Sequence, residues 1–117
     1  MIVTKTEVES YLKDIKFKIS IFGVLFLDNR GKNQQALHDL EISPNQRIEI
    51  IESLKAEDYS QGPLEEKMHG ILPMWVFGKK VKKKEGYIKI SMGSENNNPV
   101  CMSFHIAEHS IFLQTLN

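Results

Sequence analysis

Cysteine is nearly absent from this sequence, since Cys101 is the only one among 117 residues. A single thiol cannot form a disulfide within the chain or supply a cysteine-rich zinc site. No local signature marks Cys101 as a nucleophile, so we expect a small, packed thiol. The scarcity of cysteine favours a reducing compartment, and a cytoplasmic location is the simplest expectation.

Metal-ligand spacing is also missing. His38, in a predicted helix, and His69, in a predicted loop, have no cysteine or histidine at ligand spacing. His109 follows His105 by four residues, which would suit a metal only on a helix, and this segment is predicted to be strand. The sequence therefore predicts neither a metal nor another cofactor.

The chain has no long apolar run and no excess of either charge. No stretch approaches the roughly 20 apolar residues that a membrane helix needs. Charged residues interrupt residues 1–27, so we expect no signal peptide and no membrane partner. Fifteen basic and 15 acidic residues argue against a protein that coats nucleic acid through bulk electrostatics. Without internal repeats or linkers, residues 1–117 predict a single domain.

Positive charge is nevertheless concentrated towards the end of the chain. Residues 79–117 contain six basic and three acidic residues, and five of the basic ones are Lys79, Lys80, Lys82, Lys83 and Lys84. Such a run is most often a solvated loop. The alternative is an electrostatic guide for RNA, in which Lys79, Lys82, Lys83 and Lys84 bind phosphates. Arg30, in a predicted turn, is either another phosphate ligand or an ordinary turn residue.

Capping signals and apolar spacing predict helices in the first half of the chain. Thr4 and Glu7 have the capping-box pattern, as do Ser43 and Gln46, and Pro44 suits a first helical position. The predicted helices cover residues 5–18, 32–40 and 44–55. Phe17, Ile19 and Ile21 also alternate as in a strand, which weakens the end of the first helix.

Strands are predicted mainly in the second half. They cover residues 72–77, 86–92 and 100–105, with a shorter one at 24–27, and a loop is predicted at 58–70. Period two places Ile88, Ile90, Met102 and Phe104 on the core face. The same parity places Tyr87, Lys89, Ser91, Cys101, Ser103 and His105 on the other face. Trp75 and Phe77 are expected in the core, although aromatic rings can also stack on RNA bases.

Helices gathered before antiparallel strands predict an α+β fold. Several short segments then stand out in order: Asp58-Tyr59, Gly62-Pro63, Met74-Trp75-Val76-Phe77-Gly78-Lys79, Tyr87-Ile88-Lys89-Ile90, Ser103-Phe104-His105 and Ala107-Glu108, with Arg30, Lys32-Asn33 and Leu40 upstream. In this order they resemble the motility quorum-sensing regulator (MqsR) toxin family. The resemblance covers most of residues 24–108.

This resemblance implies a RelE-like fold, in which helices cover one face of a curved antiparallel sheet of three or more strands. It also implies the bacterial toxin of a type II toxin–antitoxin system, a metal-free endoribonuclease (an mRNA interferase). Messenger RNA and a cognate antitoxin protein would be its partners, with the ribosome as a further candidate.

Three site positions can be compared with the family's motifs. Tyr87 matches the family's tyrosine, a proposed catalytic residue. His105 stands where the founding member has lysine, and the family's lysine after the Asp-Tyr-like pair falls at Ser60, so that role has no obvious carrier.

Metal-free RNA cleavage needs a base, a cation near the phosphate and an acid. His105 suits acid or base work because the reference pKa of imidazole lies near neutrality. Lys89 can supply the cation, and Tyr87 can position the phosphate or share the proton transfer. The alternative is a solvent-facing hairpin whose lysine and tyrosine serve only solubility.

Two functions therefore stay open. The first is an endoribonuclease with His105, Tyr87 and Lys89 in its catalytic site, favoured by their common face. The second is a non-catalytic RelE-like module that binds an antitoxin, RNA or the ribosome, favoured by Ser60 and the zero net charge.

Overall fold

The computed structural model describes residues 2–27, 31–65, 67 and 70–117. Its helices are α1 (Lys5–Phe22), α2 (Gly31–Asp39) and α3 (Pro44–Glu52), followed by a 3-10 turn at Ala56–Asp58. Its strands are β1 (Leu25–Phe26), β2 (Tyr59–Leu64), β3 (Met74–Val81), β4 (Lys84–Ser91) and β5 (Val100–Ile106). The predicted α+β class is confirmed.

Helix α1 begins where its capping box predicts. The Thr4 hydroxyl accepts a hydrogen bond from the Glu7 backbone N–H at 3.2 Å, and Glu7 accepts one from the Thr4 N–H at 3.3 Å. The helix ends at Phe22, four residues later than predicted, and Gly23 follows with a positive φ of 74°. The strand-like alternation near its end has no structural counterpart, because Phe17 and Ile21 are exposed on a helix that buries Ile19.

Helix α3 also begins as predicted, with the Ser43–Gln46 capping box and Pro44 in the first turn. It ends at Glu52, before the expected Lys55. The chain turns there because the Asp58 carboxylate accepts a hydrogen bond from the Lys55 backbone N–H at 2.9 Å. This bond starts the 3-10 turn that leads into β2.

The five strands form one sheet in the order β1-β5-β4-β3-β2. The three predicted antiparallel strands correspond to β3, β4 and β5 and are confirmed. A purely antiparallel sheet is wrong, because β1 pairs with β5 in the parallel direction. Parallel pairing needs a long connection, which the many residues between these two strands provide.

Strand β2 corrects the prediction of a loop over residues 58–70. It lies at the sheet edge and pairs with β3 through an irregular register, with shifts on both sides of Gln61. An edge strand tolerates Pro63, which has no backbone N–H to donate. The turn-forming Gly62-Pro63 pair was therefore compatible with a strand.

The helices cover one face of the sheet. Helix α1 contributes Val8, Leu12, Ile15 and Ile19 to a core that also contains Phe77, Ile88, Ile90 and Phe104. Trp75 packs against this core with its ring centroid 4.3 Å from that of Tyr11. The expectation of a core residue is confirmed for Phe77, while Trp75 is only partly buried against the core.

A β-bulge changes the parity of β5. Ser103 pairs with Lys89, but the next residue of β4, Ile90, pairs with Cys101 rather than Met102. The extra residue of a bulge moves the residues beyond it to the opposite face. Cys101 therefore joins the core, and its side chain is only 1% exposed, as expected for a packed thiol. The predictions that Cys101 lies on the polar face and that Met102 joins the helix-covered core are wrong, although Met102 is buried.

Among the described residues, no helix is both long enough and apolar enough to cross a membrane.

Candidate active site

The face of the sheet opposite the helices holds a pair of stacked rings. Tyr87 of β4 lies directly across the ladder from His105 of β5. Their ring centroids are 5.3 Å apart and their planes differ by 15°. Gly78 of β3 lies on the other side of Tyr87 in the same row, so no side chain crowds the rings from that strand.

Residues 107–117, which we call the strap, cross this face without forming a helix or strand. The strap begins beside β4, where the Ala107 N–H donates to the Glu85 carbonyl at 2.8 Å. It reaches β2, where the Ser60 hydroxyl donates to the Phe112 carbonyl at 2.7 Å. The Gln114 N–H donates to the Tyr59 carbonyl at 3.1 Å. The expectation that His109 lies in a strand is wrong, because the strap makes these separate contacts instead of joining a ladder.

Gly78 allows the strap to lie close to the sheet. A Cβ atom at this position would come within 3.0 Å of two atoms of the Ile111 side chain and 3.2 Å of Leu113. Contacts this short would push the strap outwards. The absence of a side chain at Gly78 is therefore part of what shapes the site.

A cleft of about 440 Å³ lies between the strap and the sheet. It is lined by Ser60 and Gln61 of β2, by Tyr87 and His105, and by Glu108, His109, Ser110, Ile111 and Phe112 of the strap. The cleft volume is in the range of small-molecule sites. It is too small to hold more than one or two nucleotides. Two of the three predicted catalytic residues thus meet in one concave site.

The hydrogen bonding of His105 leaves one ring nitrogen available. Its Nδ1 lies 2.9 Å from the Ile106 carbonyl oxygen. Because a carbonyl can only accept, Nδ1 carries the proton of this bond. In the neutral ring Nε2 then has an unprotonated lone pair and can act as a base.

Tyr87, unlike His105, is suited to donate a hydrogen bond and not to act as a base. Burial raises the pKa of its phenol above the ordinary value, because the buried phenolate would lose its hydration. The hydroxyl therefore stays protonated at neutral pH. It can donate a hydrogen bond to an anion in the cleft, but it is poorly suited to take a proton.

Lys89 lies outside the cleft lining, although it shares the face of Tyr87 and His105. It is two residue pairs further along the ladder, roughly 7 Å from Tyr87 along the strand. Its neighbours Val76 and Ser103 are buried, so this part of the face is not the open polar surface that was expected. The Lys89 side chain makes no ion pair or hydrogen bond within the part of the chain that the structure describes.

Ser60, at the position of the family's lysine, is buried and lines the cleft. Its hydroxyl binds the Phe112 carbonyl, so this side chain holds the strap. It supplies no positive charge to the site.

The lysine run is mostly strand, which corrects the prediction of a loop. Only Lys82 and Lys83 form the turn between β3 and β4, with φ values of 49° and 74°. Positive φ at both central residues is the requirement of a type I′ hairpin turn.

Most of these lysines have partners within the protein. Lys79 pairs with Asp58 at 3.3 Å. Lys82 donates to the Glu41 carbonyl at 2.5 Å, and Lys84 donates to the Asp39 carbonyl at 2.6 Å, near the C-terminal end of α2. Cations are favoured at that end by the helix dipole. The described lining of the cleft includes none of the four lysines predicted to bind RNA.

Arg30 and His69 lie outside the described residues. His38 is exposed on α2, away from the cleft lining. Across residues 2–27, 31–65, 67 and 70–117, no three histidine, cysteine or acidic side chains lie close enough together to hold a metal ion.

The sequence reasoning missed His109 and Phe112. By sequence, the separation of His109 from His105 suggests only a metal-ligand spacing. A signal was present in Ala107-Glu108-His109-Ser110, where the apolar alternation of β5 stops and polar residues follow.

Comparisons of the chain with protein-family models, curated proteins and solved structures found no match.

Proposed function

We propose that this protein is a metal-free endoribonuclease that cleaves single-stranded messenger RNA, as the toxin of a type II toxin–antitoxin system. The observation that carries the proposal is the cleft whose lining contains the stacked rings of His105, with Nδ1 bound to the Ile106 carbonyl, and of the protonated Tyr87. The resemblance to the MqsR family supplies the toxin context, the cognate antitoxin, a cytoplasmic location and the RelE-like assignment. The ribosome remains a candidate partner within this proposal.

In the proposed reaction, His105 Nε2 takes the proton of an RNA 2′-hydroxyl. The 2′-oxygen attacks the adjacent phosphorus while the bond from phosphorus to the 5′-oxygen breaks. The products are a 2′,3′-cyclic phosphate and a free 5′-hydroxyl. A positioned base is worth roughly 100- to 10,000-fold in rate.

The other residues stabilise the phosphate. Tyr87 donates a hydrogen bond to a non-bridging oxygen, which suits a phenol that burial keeps protonated. Lys89 adds positive charge from two residue pairs along the ladder, at a longer distance than a direct ligand.

The strap contributes an aromatic ring at the entrance of the cleft. Phe112 lines the cleft, its side chain is 77% exposed, and Ser60 holds its carbonyl. Exposed aromatic rings stack on the unpaired bases of single-stranded RNA. We assign Phe112 to the base beside the scissile phosphate.

A non-catalytic binding module is the second candidate. It is favoured by Ser60, whose hydroxyl is engaged by the strap, and by the position of Lys89 outside the cleft. Such a module would bind RNA or an antitoxin and leave RNA intact.

The deciding experiment incubates the purified protein with end-labelled single-stranded RNA in the presence of a chelator. We expect cleavage with cyclic-phosphate ends, and we expect a 2′-deoxynucleotide at the cut site to abolish it. His105→Ala should cut 100- to 10,000-fold more slowly, while the matched variant His38→Ala, on exposed α2 surface, should cut as the wild type does. Melting curves must show that both variants fold. RNA binding without cleavage by the wild type would favour the binding module.

A further inference from the structure

We infer that His109 is the second proton carrier of the site, the acid that protonates the departing 5′-oxygen. This inference rests on the proposed function and adds a catalytic residue to it. Cleavage by a 2′-hydroxyl needs both a base and an acid, and His105 can supply only one of them in a single turnover.

The charged and titratable groups around the cleft leave few candidates for the acid. Strand β4 contributes Tyr87 to the lining and β5 contributes His105, while β2 contributes only uncharged Ser60 and Gln61. The strap contributes Glu108 and His109. Lys89 shares the face but lies outside the lining.

Two of these groups are poorly suited to acid work. Glu108 forms an ion pair with Lys32 of α2, and a carboxyl group has a reference pKa far below neutrality, so it carries no proton to donate there. Tyr87 is too weak an acid at neutral pH, because burial raises the pKa of its phenol further. His109 is therefore the remaining side chain that can carry a proton at neutral pH.

The backbone around His109 is held at both ends by one residue. The Glu85 carbonyl accepts a hydrogen bond from the Ala107 N–H at 2.8 Å. The Glu85 carboxylate accepts another from the Ile111 N–H, also at 2.8 Å. Ile111 in turn packs over Gly78. His109 thus sits in the middle of a short loop whose two ends are fixed to β4, the strand that carries Tyr87.

The proton balance is simple with two histidines. His105 starts neutral and gains the 2′-hydroxyl proton as the new oxygen–phosphorus bond forms. His109 starts protonated and gives its proton to the 5′-oxygen as the old bond breaks. Exchange with water restores both rings after the products leave.

These roles predict opposite effects on the pH–rate profile. The rate of the wild type should show a bell-shaped dependence on pH (the bell), since the base must be deprotonated and the acid protonated for the reaction to proceed. His105→Ala should lose the dependence on the acidic side, where protonation of the base slows the reaction. His109→Ala should lose the dependence on the alkaline side, and it should lower kcat by roughly 100- to 10,000-fold with little change in KM.

A modified substrate separates acid catalysis from a structural role. In a short single-stranded RNA, the 5′-oxygen at the cut site is replaced by sulfur. A thiolate leaves without protonation because the thiol pKa is near 8.5, far below that of an alcohol. His109→Ala should cut this substrate within a few-fold of the wild-type rate, whereas His105→Ala should remain slow on it.

Glu85 provides a second readout as a positioning residue. Glu85→Ala should lower kcat on normal RNA. Glu85→Gln should retain part of the wild-type kcat, because its amide oxygen can still accept the hydrogen bond from the Ile111 N–H. The sulfur substrate should again rescue the rate of Glu85→Ala.

The outcomes distinguish this inference from the proposed function. If the wild type cuts RNA and His109→Ala cuts equally fast with both sides of the bell intact, the role of His109 is overturned and the nuclease proposal stands. Slow cleavage by His109→Ala on both substrates would also overturn it, since the loss would not concern the leaving group. If the wild type cuts no RNA, both proposals fail together.

Discussion

The strongest stability prediction concerns Asn33, which joins α2 to the edge of β5. Its side chain is 4% exposed. The Nδ2 group donates to the carbonyls of Leu27 and Met102, each at 2.9 Å. The Oδ1 atom accepts from the Phe104 N–H at 3.2 Å. One amide therefore satisfies three backbone groups, two of them on the strand that carries His105.

The size of the effect follows from these three bonds. Each net hydrogen bond contributes about 1 kcal/mol, and a buried group that loses its partner costs about 1–3 kcal/mol. Asn33→Ala removes all three bonds, two of them in buried surroundings. We expect it to lower the free energy of unfolding by about 3–5 kcal/mol, a large part of the 5–15 kcal/mol typical of a domain.

Urea unfolding measures this effect, since the midpoint shifts while the slope stays constant for a two-state domain. Gln35→Ala is the matched control on the same helix, because its bond to Asp39 is exposed and its loss should cost no more than about 0.5 kcal/mol. An Asn33→Ala protein within 1 kcal/mol of the wild type would refute the assigned role of this amide.

Further predictions concern Lys89, the lysines of the β3–β4 hairpin and Phe112. Lys89→Ala should slow cleavage but keep the shape of the pH–rate profile, because it removes charge and no proton carrier; loss of either side of the bell would contradict this role. Exchanging Lys82 and Lys84 together for Gln should lower stability by up to about 1 kcal/mol, since both bind carbonyls near the end of α2, whereas Lys83→Gln should not. Exchanging all three should flatten the salt dependence of RNA binding, and an unchanged slope would exclude the hairpin turn as an RNA contact. Phe112→Ala should raise KM with kcat nearly unchanged if its ring stacks on a base, and an unaltered KM would count against that stack.

Local signals account for the parts of the fold that the sequence predicted well. The capping boxes at Thr4 and Ser43 act within one turn, so both helix starts were readable. The alternation in β4 correctly put Tyr87 and Lys89 on one face. His105 lies on the same face as these two residues. The bulge in β5 precedes Ser103 in the chain, so the alternation from Ser103 to His105 is undisturbed.

Contacts between distant residues account for what was missed. The parallel pairing of β1 and the bulge at Met102 depend on how strands meet in the sheet, which no local pattern encodes. The strap is held by Glu85 and Ser60, which are 26 and 52 residues from their partners. The cleft is formed by this strap, so the alternation of β4 and β5 could predict the ring pair but not the concave site around it.

The bulge that directs the Cys101 side chain into the core also gives the protein an internal probe of local unfolding. Cys101 is the only cysteine in the chain, and its side chain is almost completely buried in the core, on a strand that lies between β1 and β4. A thiol reagent can reach it only when this part of the core opens, so the labelling rate reports local unfolding around the strand that carries His105. A ligand that bridges the strap and the sheet would hold that strand in place and slow the labelling. The thiol could therefore detect occupancy of the cleft without any turnover of substrate.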